Sequence, residues 1–108
     1  MHELALTMEI VDIAVERAEG RRVRRVVVAV GKLAAVVPDA MRFCFDVCAK
    51  DTVVEGATLD IEETPGRARC RACGADVALT APYGSCACGS IDLEVVAGNA
   101  VYLTEMEV

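Results

Sequence analysis

The 108 residues predict an α+β fold, and three features carry that prediction. Two stretches repeat apolar residues at the period of a helix, and three others are β-branched or strictly alternating, as strands are. A cysteine-rich segment bounded by Pro65-Gly66 and Gly98-Asn99 interrupts this order. Turn-forming pairs at both ends mark it as a separate module. The expected division is therefore a domain of residues 1–66 plus 98–108 and a cysteine module of residues 67–97.

The first helix is read from Leu4, Met8, Val11, Val15 and Ala18, with Ile10 and Ala14 widening the apolar stripe. Asp12, Glu16 and Arg17 form its wet side, Glu3 complements the positive end of the helix dipole, and Gly20 stops it. Arg21, Arg22, Arg24 and Arg25 lead into Val26-Val27-Val28-Ala29-Val30, a β-branched run that closes at Gly31. Pro38 and Asp39 then open a second helix that runs to about Lys50. Within it Met41, Phe45 and Cys48 recur at helical spacing, with Cys44 beside them. Cys44 and Cys48 stand as a ligand pair on one helix face would. Their hydrophobic character favours small thiols packed among Met41, Phe43, Phe45 and Val47 instead. Ala57 to Glu62 alternates as a half-buried strand, and a last strand runs from Ala100 to Met106.

Hydrophobic residues make up 55% of the chain and aromatics only 4%, so the core must be built from Val, Ala, Leu and Ile. A net charge of −6 repels phosphate backbones and anionic lipid, which argues against nucleic-acid and membrane partners. The four arginines between positions 21 and 25 lack stacking aromatics and are read as a solvated strand start. With no apolar stretch long enough to span a bilayer and no basic-then-apolar leader, the expected location is the cytoplasm. Cysteines there are thiols or metal ligands rather than structural disulfides.

Cys70-Arg71-Ala72-Cys73-Gly74 and Cys86-Ala87-Cys88-Gly89 are two cysteine pairs, each followed by glycine. Two tight turns of this kind aim four thiolates at one tetrahedral ion. Zinc, with four sulfurs at about 2.3 Å and no redox chemistry, suits them. A thiol–disulfide pair and an iron cluster are the alternatives, the former weakened because Cys70-x-x-Cys73 opens no βαβ unit. So short a module cannot be held by burial alone, and structural zinc contributes on the order of 10–16 kcal/mol. Val77 and Leu79 after the first turn, and Ile91, Leu93 and Val95 after the second, read as hairpin arms. Arg67, Arg69 and Arg71 offset the negative charge of such a site. The second pair is one residue shorter than the first, with Ser85 where a longer pair would begin, and predicts a tighter turn.

Met1-His2-Glu3 places the only histidine next to the residue that bears the chain's amino group. With Met1 retained, as the bulk of His2 favours, the terminal amine, the His2 amide and the imidazole close adjacent chelate rings. The Glu3 amide supplies a fourth nitrogen, and a tetragonal nitrogen field suits Ni(II) or Cu(II). An amine at the positive end of a helix dipole is also favoured in its neutral, metal-binding form. On these three residues alone, a chance histidine is the competing explanation.

The Met1-His2-Glu3 start running into a helix, the Val-rich strand closing at Gly31, Pro38-Asp39-Ala40 opening a helix that ends near Lys50-Asp51-Thr52, the Glu55-Gly56-Ala57 turn and the cysteine module ending Cys88-Gly89-Ser90 together resemble the HypA/HybF family of nickel-delivery proteins for hydrogenase maturation. The likeness covers essentially the whole chain. It implies two helices on a small three-stranded sheet, with an inserted zinc-ribbon-like module of four cysteines before the last strand. It implies that Met1, His2 and Glu3 bind Ni(II) as transient cargo and that Cys70, Cys73, Cys86 and Cys88 bind structural Zn(II). It also implies two partners, a nickel-handling maturation GTPase and the hydrogenase large subunit, and some members serve urease maturation. Cys44 and Cys48 match no ligand of the family.

Two function classes follow. One is a nickel metallochaperone that binds Ni(II) at its N-terminus and delivers it by ligand exchange for maturation of NiFe-hydrogenase. The rival is a structural zinc-ribbon protein–protein interaction module with an inert N-terminus. No enzyme is expected, since a single histidine without a Ser/His/Asp or Cys/His pairing is poor material for acid–base or nucleophilic catalysis. Edge strands in a small sheet leave a homodimer open.

Overall fold

The computed structural model describes residues 2–108, so Met1, the first of the three expected nickel ligands, lies outside the described residues. In chain order the elements are α1 (Glu3–Ala18), β1 (Arg25–Gly31), a 3-10 turn (Lys32–Ala34), α2 (Pro38–Ala49), β2 (Thr58–Thr64), β3 (Gly66–Cys70), β4 (Asp76–Leu79), β5 (Leu93–Ala97) and β6 (Val101–Glu107). They form two three-stranded sheets, ordered β2-β1-β6 and β4-β3-β5. The chain divides into two compact units. One takes in residues up to Ala29, Val36–Glu62 and Val101–Val108; the other takes in Val30–Ala35 and Glu63–Ala100.

In the first unit α1 packs along α2. The α+β architecture matches the expectation, and on α2 Met41 and Phe45 are buried as the spacing predicts, but part of the apolar stripe of α1 lies in solvent. On α1 the buried residues are Glu3, Thr7, Ile10, Val11, Ala14 and Ala18, whereas Leu4 and Met8 are 52% and 51% exposed and Val15 is also exposed. The small side chains of Ala14 and Ala18 let another element approach closely, and the Thr7 hydroxyl donates to the Glu3 carbonyl at 2.5 Å, so its burial leaves no unpaired group. On α2, Met41, Phe45 and Ala49 are buried while Phe43 and Val47 are 71% and 56% exposed. Cys44 and Cys48 are therefore half-buried at the helix flank, not enclosed among Phe43 and Val47.

β1 is the middle strand, and Val26 to Val30 are all buried, as a β-branched run with a neighbour on each side should be. The Arg24 amide donates to Glu107 at 2.7 Å and the Gly31 amide to Ala100 at 2.8 Å, so β6 runs antiparallel to β1. The arginines before β1 act as fasteners and are not merely solvated. Arg21 Nε donates to the Ala18 carbonyl at the end of α1 (2.9 Å), and Arg22 reaches the Glu55 carbonyl (2.9 Å). Arg25 Nε donates to Asp60 on β2 (2.5 Å) and also pairs with Glu105 and Glu107 on β6.

The second unit contains a strand that the sequence reading missed. β3 is the centre of its sheet, antiparallel to both neighbours, with Ala68 opposite Val77 on β4 and Val95 on β5. Gly66, Ala68 and Cys70 are buried and Arg67 and Arg69 exposed, in strict alternation. Arg67 and Arg69 thus lie on the face opposite Cys70, and the charge-offsetting role expected of them is not what their positions favour. Arg71 pairs with Asp92 at 3.5 Å and Glu94 at 4.0 Å. The small core joins Ala68 and Leu79 to Leu33, which arrives from the 3-10 turn, with Val77, Leu93 and Val95 packed against them. Gly66 is required here, because a Cβ at that position would lie 2.6 Å from Leu33 Cγ. Ile91, expected in a hairpin arm, precedes β5 and is 81% exposed.

Candidate metal centre

Cys70 closes β3 and Cys73 lies in the turn that follows it; Cys86 and Cys88 lie on the loop between β4 and β5. Their four sulfurs lie within 4.8 Å of one another, with Cys70 Sγ 3.7 Å from Cys88 Sγ and Cys73 Sγ 3.5 Å from Cys86 Sγ. A tetrahedron with 2.3 Å metal–sulfur bonds has an edge of about 3.8 Å, so the four donors fit one zinc-sized ion. Each pair contributes one buried sulfur residue, Cys70 or Cys86, and one exposed residue, Cys73 or Cys88. The shorter second pair does make the tighter turn. Gly74 N donates back to the Cys70 carbonyl across four residues (2.8 Å), while Gly89 N donates to Cys86 across three (2.9 Å). Gly74 and Gly89 have φ of +78° and +94°, where a side chain is strained.

The thiols perturb one another in opposite senses. Cys70 is held down to about 6, first by the Cys73 amide and then, against the effect of burial, by the Ala72 amide and the neighbouring thiols of Cys88 and Cys73. At Cys73 the Ala75 amide favours the thiolate, but contacts with Cys86, Cys70 and Cys88, together with burial, outweigh it and push the thiol up to about 12. One sulfur is poised as thiolate while another keeps its proton, which is how adjacent acidic groups share charge without a cation. A divalent ion bound among them would relieve that conflict.

The N-terminal segment is built differently. His2 is exposed at the N-cap of α1, and its side chain makes no capping hydrogen bond. Glu3, by contrast, is buried, and its Oε2 accepts from the Val37 amide at 3.0 Å. That bond comes first among the causes that hold the Glu3 carboxyl below its ordinary range, followed by its own amide. Sequence reasoning missed this tie between the starts of α1 and α2. A signal was present: Val37 precedes Pro38 without a Ser, Thr, Asp or Asn to cap the helix, so any cap had to come from elsewhere. Asp39 stands exposed in the first turn of α2. Among the described residues, no helix is long and apolar enough to cross a membrane.

Four convergent thiols on a small α+β scaffold define a metal-binding protein. Comparison with known proteins narrows that class. Residues 1–108 match the family described as hydrogenase/urease nickel incorporation, metallochaperone, HypA. The chain is 51% identical to the hydrogenase maturation factor HypA of a Nostoc species and 52% identical to that of Trichormus variabilis, covering all of this chain and 96% of each relative. Its fold is similar to the solution structure of the Ni metallochaperone HypA from Helicobacter pylori, with a TM-score of 0.75 and 26% identity over 99% of this chain and 97% of the other. The chain belongs to the HypA family of nickel metallochaperones, whose curated members are hydrogenase maturation factors.

Proposed function

We propose that this chain carries Ni(II) at Met1, His2 and Glu3 and hands it over for the maturation of NiFe-hydrogenase, while Zn(II) stays among Cys70, Cys73, Cys86 and Cys88. In this reading residues 1–66 with 98–108 bear the cargo site and residues 67–97 the zinc. The observation that carries it is the contrast at the start of α1. His2 is exposed with no capping bond, while the next residue, Glu3, is buried and tied to Val37. An imidazole so placed is open to a metal and to a competitor, on a backbone that is held still. Because the Glu3 carboxylate already accepts from Val37, Glu3 takes part through its backbone amide.

Delivery proceeds by ligand exchange. Nickel displaces protons from the amine, the amides and the imidazole, so binding weakens as pH falls, and a partner offering better ligands draws the ion away. Zinc would cross-link the two turns and offset half of the thiolates' charge; Cys70 and Cys86 would hold it from the buried side and Cys73 and Cys88 from the exposed side. The partners in this reading are a nickel-handling maturation GTPase and the hydrogenase large subunit, with urease a second client that the family description allows. The protein works in the cytoplasm and catalyses no reaction of its own.

The test uses untagged protein, since residues added before Met1 would alter the site. His2→Ala, and separately one residue inserted ahead of Met1, should each abolish nickel binding in equilibrium dialysis while leaving zinc content unchanged. If both variants bind nickel as the parent does, the site is elsewhere. Zinc at full occupancy with no nickel bound at micromolar concentration in the parent would favour an interaction module instead.

A further inference from the structure

α1 and α2 turn toward solvent an apolar surface that the core of their unit does not use. Leu4 and Met8 are 52% and 51% exposed, and Phe43 and Val47 are 71% and 56% exposed. Between the helices runs a groove of about 250 Å³ lined by Leu4, Met8, Val11, Asp12, Val47 and Cys48. Leu4, Met8, Val11 and Val15 follow one another at helical spacing on α1, as Phe43 and Val47 do on α2, so two stripes flank one floor. Contiguous exposed apolar surface of this kind marks an interaction site.

The charged residue that lines the groove is acidic. Asp12 lines it, and Glu16 follows one turn later on α1. Both are exposed, and neither is ion-paired with a described residue. Of the two cations on and at the end of α2, Arg42 is engaged with the Leu59 carbonyl at 3.0 Å, and Lys50 stands past the helix end. The charge imbalance is general in this unit, which holds seven Lys and Arg against thirteen Asp and Glu; the second unit holds four of each.

Those carboxylates discriminate among occupants. A second copy docked by the same face would bring like carboxylates together, since a two-fold interface joins a patch to itself. An anionic membrane surface or a phosphate backbone would also be repelled. An amphipathic helix whose apolar stripe is bordered by Lys and Arg satisfies both the groove and its carboxylates. We propose that this groove receives a basic amphipathic helix of a partner protein. Met8 and Cys48 give it a polarizable, adaptable floor. Docking there would place the partner beside the first turn of α1, and it does not depend on nickel being held at His2.

The probe is a fluorescein-labelled synthetic helix with a leucine stripe bordered by lysines, titrated by anisotropy into untagged, zinc-loaded protein without nickel. Saturable binding is expected. Phe43→Ser with Val47→Ser should weaken it about tenfold or more, as removal of central apolar anchors does. Asp12→Asn with Glu16→Gln should weaken it and flatten its salt dependence. Melting curves and zinc content identify any variant that misfolds, and Met8→Gln on the other helix provides an independent apolar-to-polar change. Three outcomes would overturn the proposal: equal binding of a glutamate-bordered peptide; unchanged binding after both the serine pair and Met8→Gln; or sedimentation showing a homodimer that the serine pair dissociates, which would make the occupant a second copy.

Discussion

The cysteine cluster and the stretch proposed to carry nickel differ in how their described residues are held. The four sulfurs lie within 4.8 Å of one another before any ion is considered, positioned by backbone turns at Gly74 and Gly89 and half-enclosed by their unit. His2 is one exposed side chain at a helix start, with only its neighbour Glu3 fixed. A preassembled, partly enclosed tetrathiol set suits retention, because losing the ion leaves thiolates crowded together. An exposed terminal site suits transfer, because a competing ligand can approach without the fold opening. In the proposed reading, the difference lets one small chain separate holding a metal from passing one on.

The strongest way to break that comparison is to remove the metal from the retaining site. Chelation of zinc, or Cys70→Ser, should unfold the segment from residue 67 to residue 97 and open it to proteolysis, while the helical circular dichroism of α1 and α2 persists. A module that resists protease without metal would show that its small core suffices, and the contrast would fail. Next in size are changes to the two cores. Phe45→Ala should destabilise the first unit by about 3–5 kcal/mol, and Leu33→Ala the second by about 2–5 kcal/mol, in chemical denaturation. Leu33→Ala should also speed zinc extraction by a chelator, whereas Phe45→Ala should not. If both leave extraction unchanged, Leu33 has no part in holding the metal turns.

A smaller effect comes from pH. The Cys70 thiol is lowered from its ordinary 9.0 to about 6, so its thiolate stabilisation is present above the ordinary value and disappears as pH falls through about 6. Cys73, raised to about 12, acts in the opposite direction and loses its contribution only as pH rises toward that value. Because Cys73 keeps its proton up to about 12, zinc must displace protons across the neutral range, so zinc should be held less tightly as pH falls and still less below about 6, where Cys70 also protonates, read as zinc released to a chromogenic chelator across a pH series. Release that is flat from neutral pH down through 5 would show that Cys70 does not set the acid limit.

Much of the metal chemistry was legible in the chain. Two cysteine pairs each followed by glycine specify four convergent donors, because ligand type and short spacing are local properties. The Glu3 carboxylate was not legible as a brace, since its partner, the Val37 amide, lies 34 residues away and a backbone donor leaves no mark in composition. Nor was β3, whose Gly-Arg-Ala-Arg-Cys sequence reads as a break and a charge run until Val77 and Val95 are paired on either side of Ala68.

Taken alone, the sequence determined where helices and most strands form, which residues can ligate metal, and that the core would be aliphatic. Those are consequences of periodicity, turn chemistry and side-chain type, all set within a few residues. Only the tertiary structure decided which part of each apolar stripe is buried. On α1 the stripe of Leu4, Met8, Val11, Val15 and Ala18, widened by Ile10 and Ala14, divides: Ile10, Val11, Ala14 and Ala18 pack inward while Leu4, Met8 and Val15 stay in solvent. Leu4, Met8, Phe43 and Val47 were thereby left in solvent around a groove that Asp12 lines, because a helix can turn only one face to its core.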